Sequence, residues 1–230
     1  MPSNRGPTLR LRARGPLACF TRPELKVERV SYPVITPSAA RGLLEAVLWK
    51  PAIRWSVERI KVLRPIRFVA FRRNEVNSKA AAPRAEIVTQ GGPAPVFFAD
   101  EDRSQRNTVA LRDVDYVIEA HFSMTARAGQ EDNVSKFVEM FQRRVEKGQH
   151  FHQPYFGCRE FVAEVLPVDG ANELLRESRD LGLMLWDITY DPGGNRAVFF
   201  HAKLSDGMLE VPPDEASALA TLGNVKEGAA

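Results

Sequence analysis

Residues 114–122 alternate without a break: Val114, Tyr116, Ile118, Ala120 and Phe122 face one way, and Asp115, Val117, Glu119 and His121 face the other. Successive side chains on a β-strand point to opposite sides, so this pattern predicts a strand with one face against a core. Any fold for this chain must contain a sheet to which that strand belongs. The run Leu9-Arg10-Leu11-Arg12-Ala13-Arg14 repeats the alternation with arginine at each polar position. As a strand it sends Arg10, Arg12 and Arg14 to the same side.

Two amphipathic helices are predicted between the strands. Thr36-Pro37 supplies an N-cap and a proline at the first helical position, and Ala40, Leu43, Leu44, Val47 and Leu48 then form one stripe. Pro51 stops this helix, because proline disfavours helical geometry before it and cannot donate a backbone hydrogen bond. The second helix spans residues 132–147, with Val134, Phe137, Val138, Phe141 and Val145 as its core stripe and Gly148 at its end. Lys136, Arg143 and Lys147 lie along one flank of it.

Residues 53–71 are rich in β-branched and aromatic side chains but interrupted at Arg64-Pro65, which predicts one long bent strand or two short ones. A further short strand is expected at 161–165. The order strand, helix, strand or strands, strand, helix, strand is that of a split βαβ unit, the ferredoxin-like or RRM-like plan. The expected fold class is therefore α+β. An RRM-like domain covers residues 1–165, and a small antiparallel β meander with strands at 183–190, 197–204 and 208–211 covers 166–213. Residues 214–230 form a flexible tail. Residues 74–108, with Ala80-Ala81-Ala82-Pro83 and Gly91-Gly92-Pro93, are expected as an extended loop with a short hairpin at 96–98.

Formal net charge is +3, but residues 1–80 carry 17 Lys/Arg against 5 Asp/Glu while the rest carry 15 against 24. Such asymmetry points to a polyanionic partner, the plainer alternative being a solvated basic face. Cys19 and Cys158 stand far apart with no partner at metal spacing, so neither a disulfide framework nor a metal site is expected. No apolar run is long enough to span a bilayer and no signal peptide opens the chain, so a cytoplasmic protein without a membrane partner is expected.

The chain has no Gly-rich phosphate loop, no metalloprotease helix and no nucleophile elbow, and no cofactor is expected. Its densest set of acid/base groups is Gln149-His150-Phe151-His152-Gln153-Pro154-Tyr155. RNA cleavage without metal requires a base for the 2′-hydroxyl, an acid for the leaving 5′-oxygen and a cation for the phosphorane charge. Lys136 is a candidate for the cation. His121 and His201 are expected to be ordinary sheet residues. The usual aromatic signature of an RRM sheet is absent, so base stacking on the sheet is not expected.

Seven strings, in order across residues 10–204, carry a resemblance to a known family. They are Ala18-Cys19-Phe20-Thr21-Arg22-Pro23, Val27-Glu28-Arg29-Val30-Ser31-Tyr32, Pro37-Ser38-Ala39-Ala40-Arg41-Gly42 and Trp49-Lys50-Pro51, followed by Arg72-Arg73-Asn74-Glu75-Val76, Asp115-Tyr116-Val117-Ile118-Glu119-Ala120-His121-Phe122 and Gly157-Cys158-Arg159-Glu160-Phe161. The chain resembles the Cas-five family of CRISPR-associated proteins, type I-C (Dvulg) branch. The resemblance implies an RRM-like domain with a β appendage in a subunit of the Cascade surveillance complex. That subunit grips the 5′ handle of crRNA, lies beside the backbone and large subunits, and meets target DNA through the complex. In this branch it usually also cuts the precursor transcript without metal.

The family's proposed active site has a tyrosine or histidine just before Trp-Lys-Pro and a Lys-His pair in the second helix. Here these positions are Leu48 and Lys136-Phe137, so only the lysine remains. Either cleavage has moved to His150, His152, Tyr155 or Tyr32, or the subunit binds a handle made by another nuclease. A stand-alone metal-independent endoribonuclease and a structural protein docking on an acidic partner are the rival readings. The expected RNA-binding residues are Arg22, Lys26, Arg29, Lys50, Arg72, Arg73, Lys136 and Arg159, with Arg41 and Arg54 behind them. Trp49, abutting the helix end, is expected in the core.

Overall fold

The structure, a computed structural model, describes residues 4–25, 27–79, 82–91, 96, 98–168, 170, 174–191 and 194–223. Its elements in chain order are β1 (Leu9–Ala18), β2 (Arg29–Val30), α1 (Pro37–Val47), β3 (Ile53–Val62), β4 (Phe68–Val76), α2 (Ala85–Gln90), β5 (Arg103–Met124), α3 (Val134–Glu146), β6 (Glu164–Leu166), β7 (Arg179–Asp191), β8 (Gly194–Ser205), β9 (Met208–Glu210) and α4 (Glu215–Gly223).

The sheet runs β6-β1-β5-β3-β9-β8-β7. Its first four strands are the split βαβ arrangement: β1 and β3 both run antiparallel to β5 between them, and β6 closes the other edge of β1. The register sets Leu11 opposite Ile118, Trp55 opposite Phe122 and Ile60 opposite Ile118. These side chains share the face on which the helices pack. Trp55 meets Phe122 and Phe141 at ring separations of 5.4 and 4.9 Å, and Phe137 meets Phe122 at 6.2 Å. Fully burying one such side chain stabilises the fold by roughly 1.5–3 kcal/mol. The fold is α+β, as expected.

The meander is not separate from this sheet. β9 pairs with β3 from Arg59–Glu210 to Lys61–Met208, and the β7–β8 hairpin continues beyond it. Arg41 on α1 forms a two-pronged ion pair with Asp187 on β7, one prong 2.9 Å, so the helix layer is tied to the meander as well.

Two expectations are corrected. Much of the segment expected as a loop at 74–108 is ordered: β4 and the first half of β5 form an antiparallel arm, Phe68 opposite Leu111 through Val76 opposite Arg103. β5 bends between its halves at Asp113, whose φ of 54° aspartate tolerates better than most residues. Residues 92–95 and 97 lie outside the described residues, and with them the hairpin expected at 96–98. The tail expected from 214 begins with α4, whose Ala218 is buried against β8 and whose Thr221 Oγ1 accepts from His201 N at 2.8 Å. Small side chains there allow close packing. Among the described residues no helix is long and apolar enough to cross a membrane.

Candidate nucleic-acid interface

The C-terminal end of α1 organises the region. A helix leaves its last carbonyls without intrahelical partners, and here other segments supply them. Phe151 N donates to Ala46 O at 2.7 Å and His152 N to the same oxygen at 3.3 Å. Arg144 of α3 donates to Val47 O at 2.6 Å, and Trp55 Nε1 donates to Leu48 O at 2.9 Å. The histidine loop is thereby fastened to the helix end. Leu48 and Phe137, where the family's acid/base groups are expected, are 0% and 2% exposed. Both are core residues, as their stripes predict, and neither can move a proton.

Trp49 is different from its expectation. It is 50% exposed and pairs with Phe151, itself 62% exposed, at a ring separation of 6.1 Å. The reason is local: Leu48 leaves helical geometry at φ −140°, ψ 101°, so the helical phase that would turn Trp49 inward ends one residue earlier. Lys50 beside it is exposed. Lys136 stands at the start of α3, where its Nζ lies 2.9 Å from Asp132 Oδ1. Lys136 first of all, then Gly129 N–H and the nearby Lys50, hold the Asp132 carboxyl below its ordinary range.

The proposed proton-transfer groups are not all in one place. His152 and Tyr155 line a cleft of about 600 Å³ with Thr21, Arg29, Arg41 and Glu45, whereas His150 and Lys136 are not among its lining residues. Tyr32 is 1% exposed beneath the Arg22 guanidinium, 4.8 Å from its ring centroid. Burial pushes its phenol up to about 12, which removes it as an acid/base group near neutral pH. Glu45, which no sequence pattern singles out, joins the cleft from α1; burial pushes its carboxyl up against the pull of Arg41.

The basic residues divide into those already matched and those left open. On the outer face of the sheet, Arg12 grips Asp115 at 2.7 and 3.0 Å. Arg10, Arg59 and Lys61 converge on Glu119 at 3.2, 3.0 and 2.6 Å, and Arg14 meets Glu164 at 2.6 Å. His121 meets Glu58 at 2.7 Å and His201 meets Asp180 at 2.9 Å, both as ordinary sheet residues. Of the expected RNA-binding residues, Arg29 and Arg73 share Glu75 at 2.9 and 2.8 Å, and Arg73 also pairs with Glu160. Arg22 lies 3.6 Å from Glu24. Lys26 lies outside the described residues. Lys50, Arg72 and Arg159 are exposed, and among the described residues no carboxylate stands within ion-pair distance of them. Arg72 and Arg73 sit on opposite faces of β4, so they cannot serve one phosphate track together.

Three comparisons bear on this surface. The profile of the CRISPR-associated protein (Cas_Cas5) family, Cas_Cas5d, matches residues 8–212. A CRISPR pre-crRNA endoribonuclease Cas5d of Mannheimia succiniciproducens is 49% identical over 89% of this chain and 95% of its own length. One of the same description from Thermus thermophilus is 43% identical over 90% of this chain and 92% of its own. A crystal structure of a CRISPR-associated protein matches the fold with a TM-score of 0.69 at 20% identity, over 93% of this chain and 95% of that one. With the ordered strings, the split βαβ sheet and these matches in agreement, the chain belongs to the Cas5 family of CRISPR-associated proteins, in its Cas5d, type I-C branch.

Proposed function

We propose that this chain is the subunit of a type I-C Cascade complex that binds the 5′ handle of crRNA in the cytoplasm. It lies beside the backbone and large subunits and meets target DNA only through the assembly. The observation that carries this reading is the family match over residues 8–212, within which Lys50, Arg72 and Arg159 remain exposed and unmatched by carboxylates. Such cations supply the sequence-independent phosphate contacts on which RNA affinity rests. Handle binding without cutting is favoured by Leu48 and Phe137, because losing a general acid or base typically costs ~10²–10⁴-fold in rate.

A second reading, that cutting persists with other groups, is favoured by the cleft that brings His152, Tyr155 and Glu45 together. One experiment separates the two. Purified protein is incubated with repeat RNA in EDTA, and both binding and products are followed. Tight, salt-sensitive binding without products is expected of the handle binder. Rapid cutting at one position supports the second reading, and replacing His150 and His152 together should then abolish it. Failure to bind repeat RNA at low salt overturns both readings.

A further inference from the structure

We infer that Trp49 and Phe151 form a stacking platform for one unpaired base of the bound RNA. The inference rests on the handle-binding reading and adds a base contact to its phosphate contacts. Its first support is the contrast among the three tryptophans of the chain. Trp55 donates its indole N–H to Leu48 O at 2.9 Å and is 3% exposed; Trp186 donates to Pro212 O at 2.9 Å. Among the described residues nothing accepts from Trp49 Nε1, and half of its surface is open. The fold uses the other two as packed, hydrogen-bonded anchors and leaves this one free for a ligand that offers a face and an acceptor.

The second support is rigidity. Phe151 is held through its own N–H to Ala46 O, and the turn after Trp49 is closed by Ile53 N donating to Lys50 O at 3.2 Å. Two large aromatic side chains are thus presented to solvent from a fastened backbone, with the rings 31° from parallel. A pre-organised pair of this kind loses little conformational entropy when a base settles on it.

The third support is charge. Lys50 adjoins Trp49 in sequence, is exposed, and has no carboxylate within ion-pair distance among the described residues, so a cation open to a phosphate stands next to the aromatic pair. An anionic chain that places a phosphate on Lys50 brings a base to Trp49. A polypeptide partner would meet the same rings without using that positive charge.

The test is equilibrium binding of the full chain to single-stranded repeat RNA over a salt series, comparing wild type with Trp49→Ala, Phe151→Ala and Trp49→Phe. The side chains are exposed, so unchanged melting temperatures are expected. The two alanine variants are expected to bind roughly tenfold more weakly. Their salt slope should not change, because the slope counts phosphates rather than stacked bases. Trp49→Phe should keep most of the affinity. An abasic nucleotide scanned along the RNA should weaken wild type at one position and leave Trp49→Ala indifferent there. Wild-type affinity in both alanine variants overturns the stacking and leaves handle binding intact, whereas no RNA binding by wild type overturns both. Normal RNA binding by Trp49→Ala with loss of association to the other subunits also overturns it, by making the pair a protein contact.

Discussion

Gly157 turns the chain at φ +79° directly against the Cys19 carbonyl. The turn brings Phe156 O to Cys19 N at 3.0 Å and so fixes the segment carrying Tyr155 and Arg159 to the end of β1. A Cβ at this position would run into the Cys19 oxygen in a backbone conformation that L side chains avoid. Gly157→Ala should therefore destabilise the protein by about 3 kcal/mol, read as a lowered midpoint in denaturant. An unchanged midpoint would mean that this segment does not hold the site. The string around Gly157 is visible in the sequence, but the carbonyl it packs against is not, because that contact joins distant segments. Leu48 and Phe137 were legible as core because helical period reaches them. Trp49 was not, because period stops having meaning once the helix ends.

For α1 the two ends were unequally legible. Thr36 accepts from Ala39 N at 3.2 Å, a cap that the local sequence announces. The donors at the other end come from β3, α3 and the 149–152 segment, and no local pattern names them. Replacing Arg144 by methionine keeps the stem but leaves Val47 O unsatisfied, at a cost of about 1–3 kcal/mol. The expected signature is local: the amides of Phe151 and His152 should exchange with deuterium faster while those in the second half of β5 keep their protection. Uniform exchange across the molecule would count against the helix end as the fastening point. The start of β4 falls within the strand region expected at 53–71, but its continuation from Asn74 and the first part of β5, expected as loop, are not legible for a related reason. Both strands are held by pairing and by Glu75 with Arg29, Arg73 and Arg106 rather than by an alternating apolar face. Sequence reading depends on such a face to recognise strands.

Across the whole molecule, part of the charge imbalance between the two parts of the sequence is cancelled by pairing across the sheet. Asp115 and Glu119, from the acidic part, are 4% and 3% exposed beneath arginines and a lysine of the basic part. The basic segment therefore overstates the surface available to RNA; of the residues expected to bind RNA, Lys50, Arg54, Arg72 and Arg159 are the exposed ones with no carboxylate within ion-pair distance among the described residues. Burial pushes the Glu119 carboxyl up, but Lys61, Arg59 and Arg10 together outweigh it and hold the group below its ordinary range. A carboxyl depressed in the folded state contributes stability that is complete above its unfolded value, about 4.3, and is lost as pH falls through the folded value. Glu119→Gln should cost about 1–2 kcal/mol at neutral pH, a modest figure because its partners are partly exposed. In urea titrations the gap between variant and wild type should be full at neutral pH and narrower at acid pH, below the unfolded value of about 4.3. A gap of equal size at both pH values would refute the assignment. The split βαβ order was legible from the alternation of strands and helices. The joining of the meander through β9 to β3 was not, since nothing in either strand names its neighbour.

The interlocking of basic and acidic segments has a consequence in time. A chain is made from its N-terminus at roughly 5–20 residues per second, so Arg10 and Arg12 of β1 leave the ribosome some 5–20 s before Glu119 and Asp115 of β5, the carboxylates they pair with. During that interval the nascent segment is a polycation beside ribosomal and messenger RNA. Completion of β5 is then more than a folding step, since it supplies the carboxylates that match Arg10 and Arg12 and takes their charge off the exposed surface.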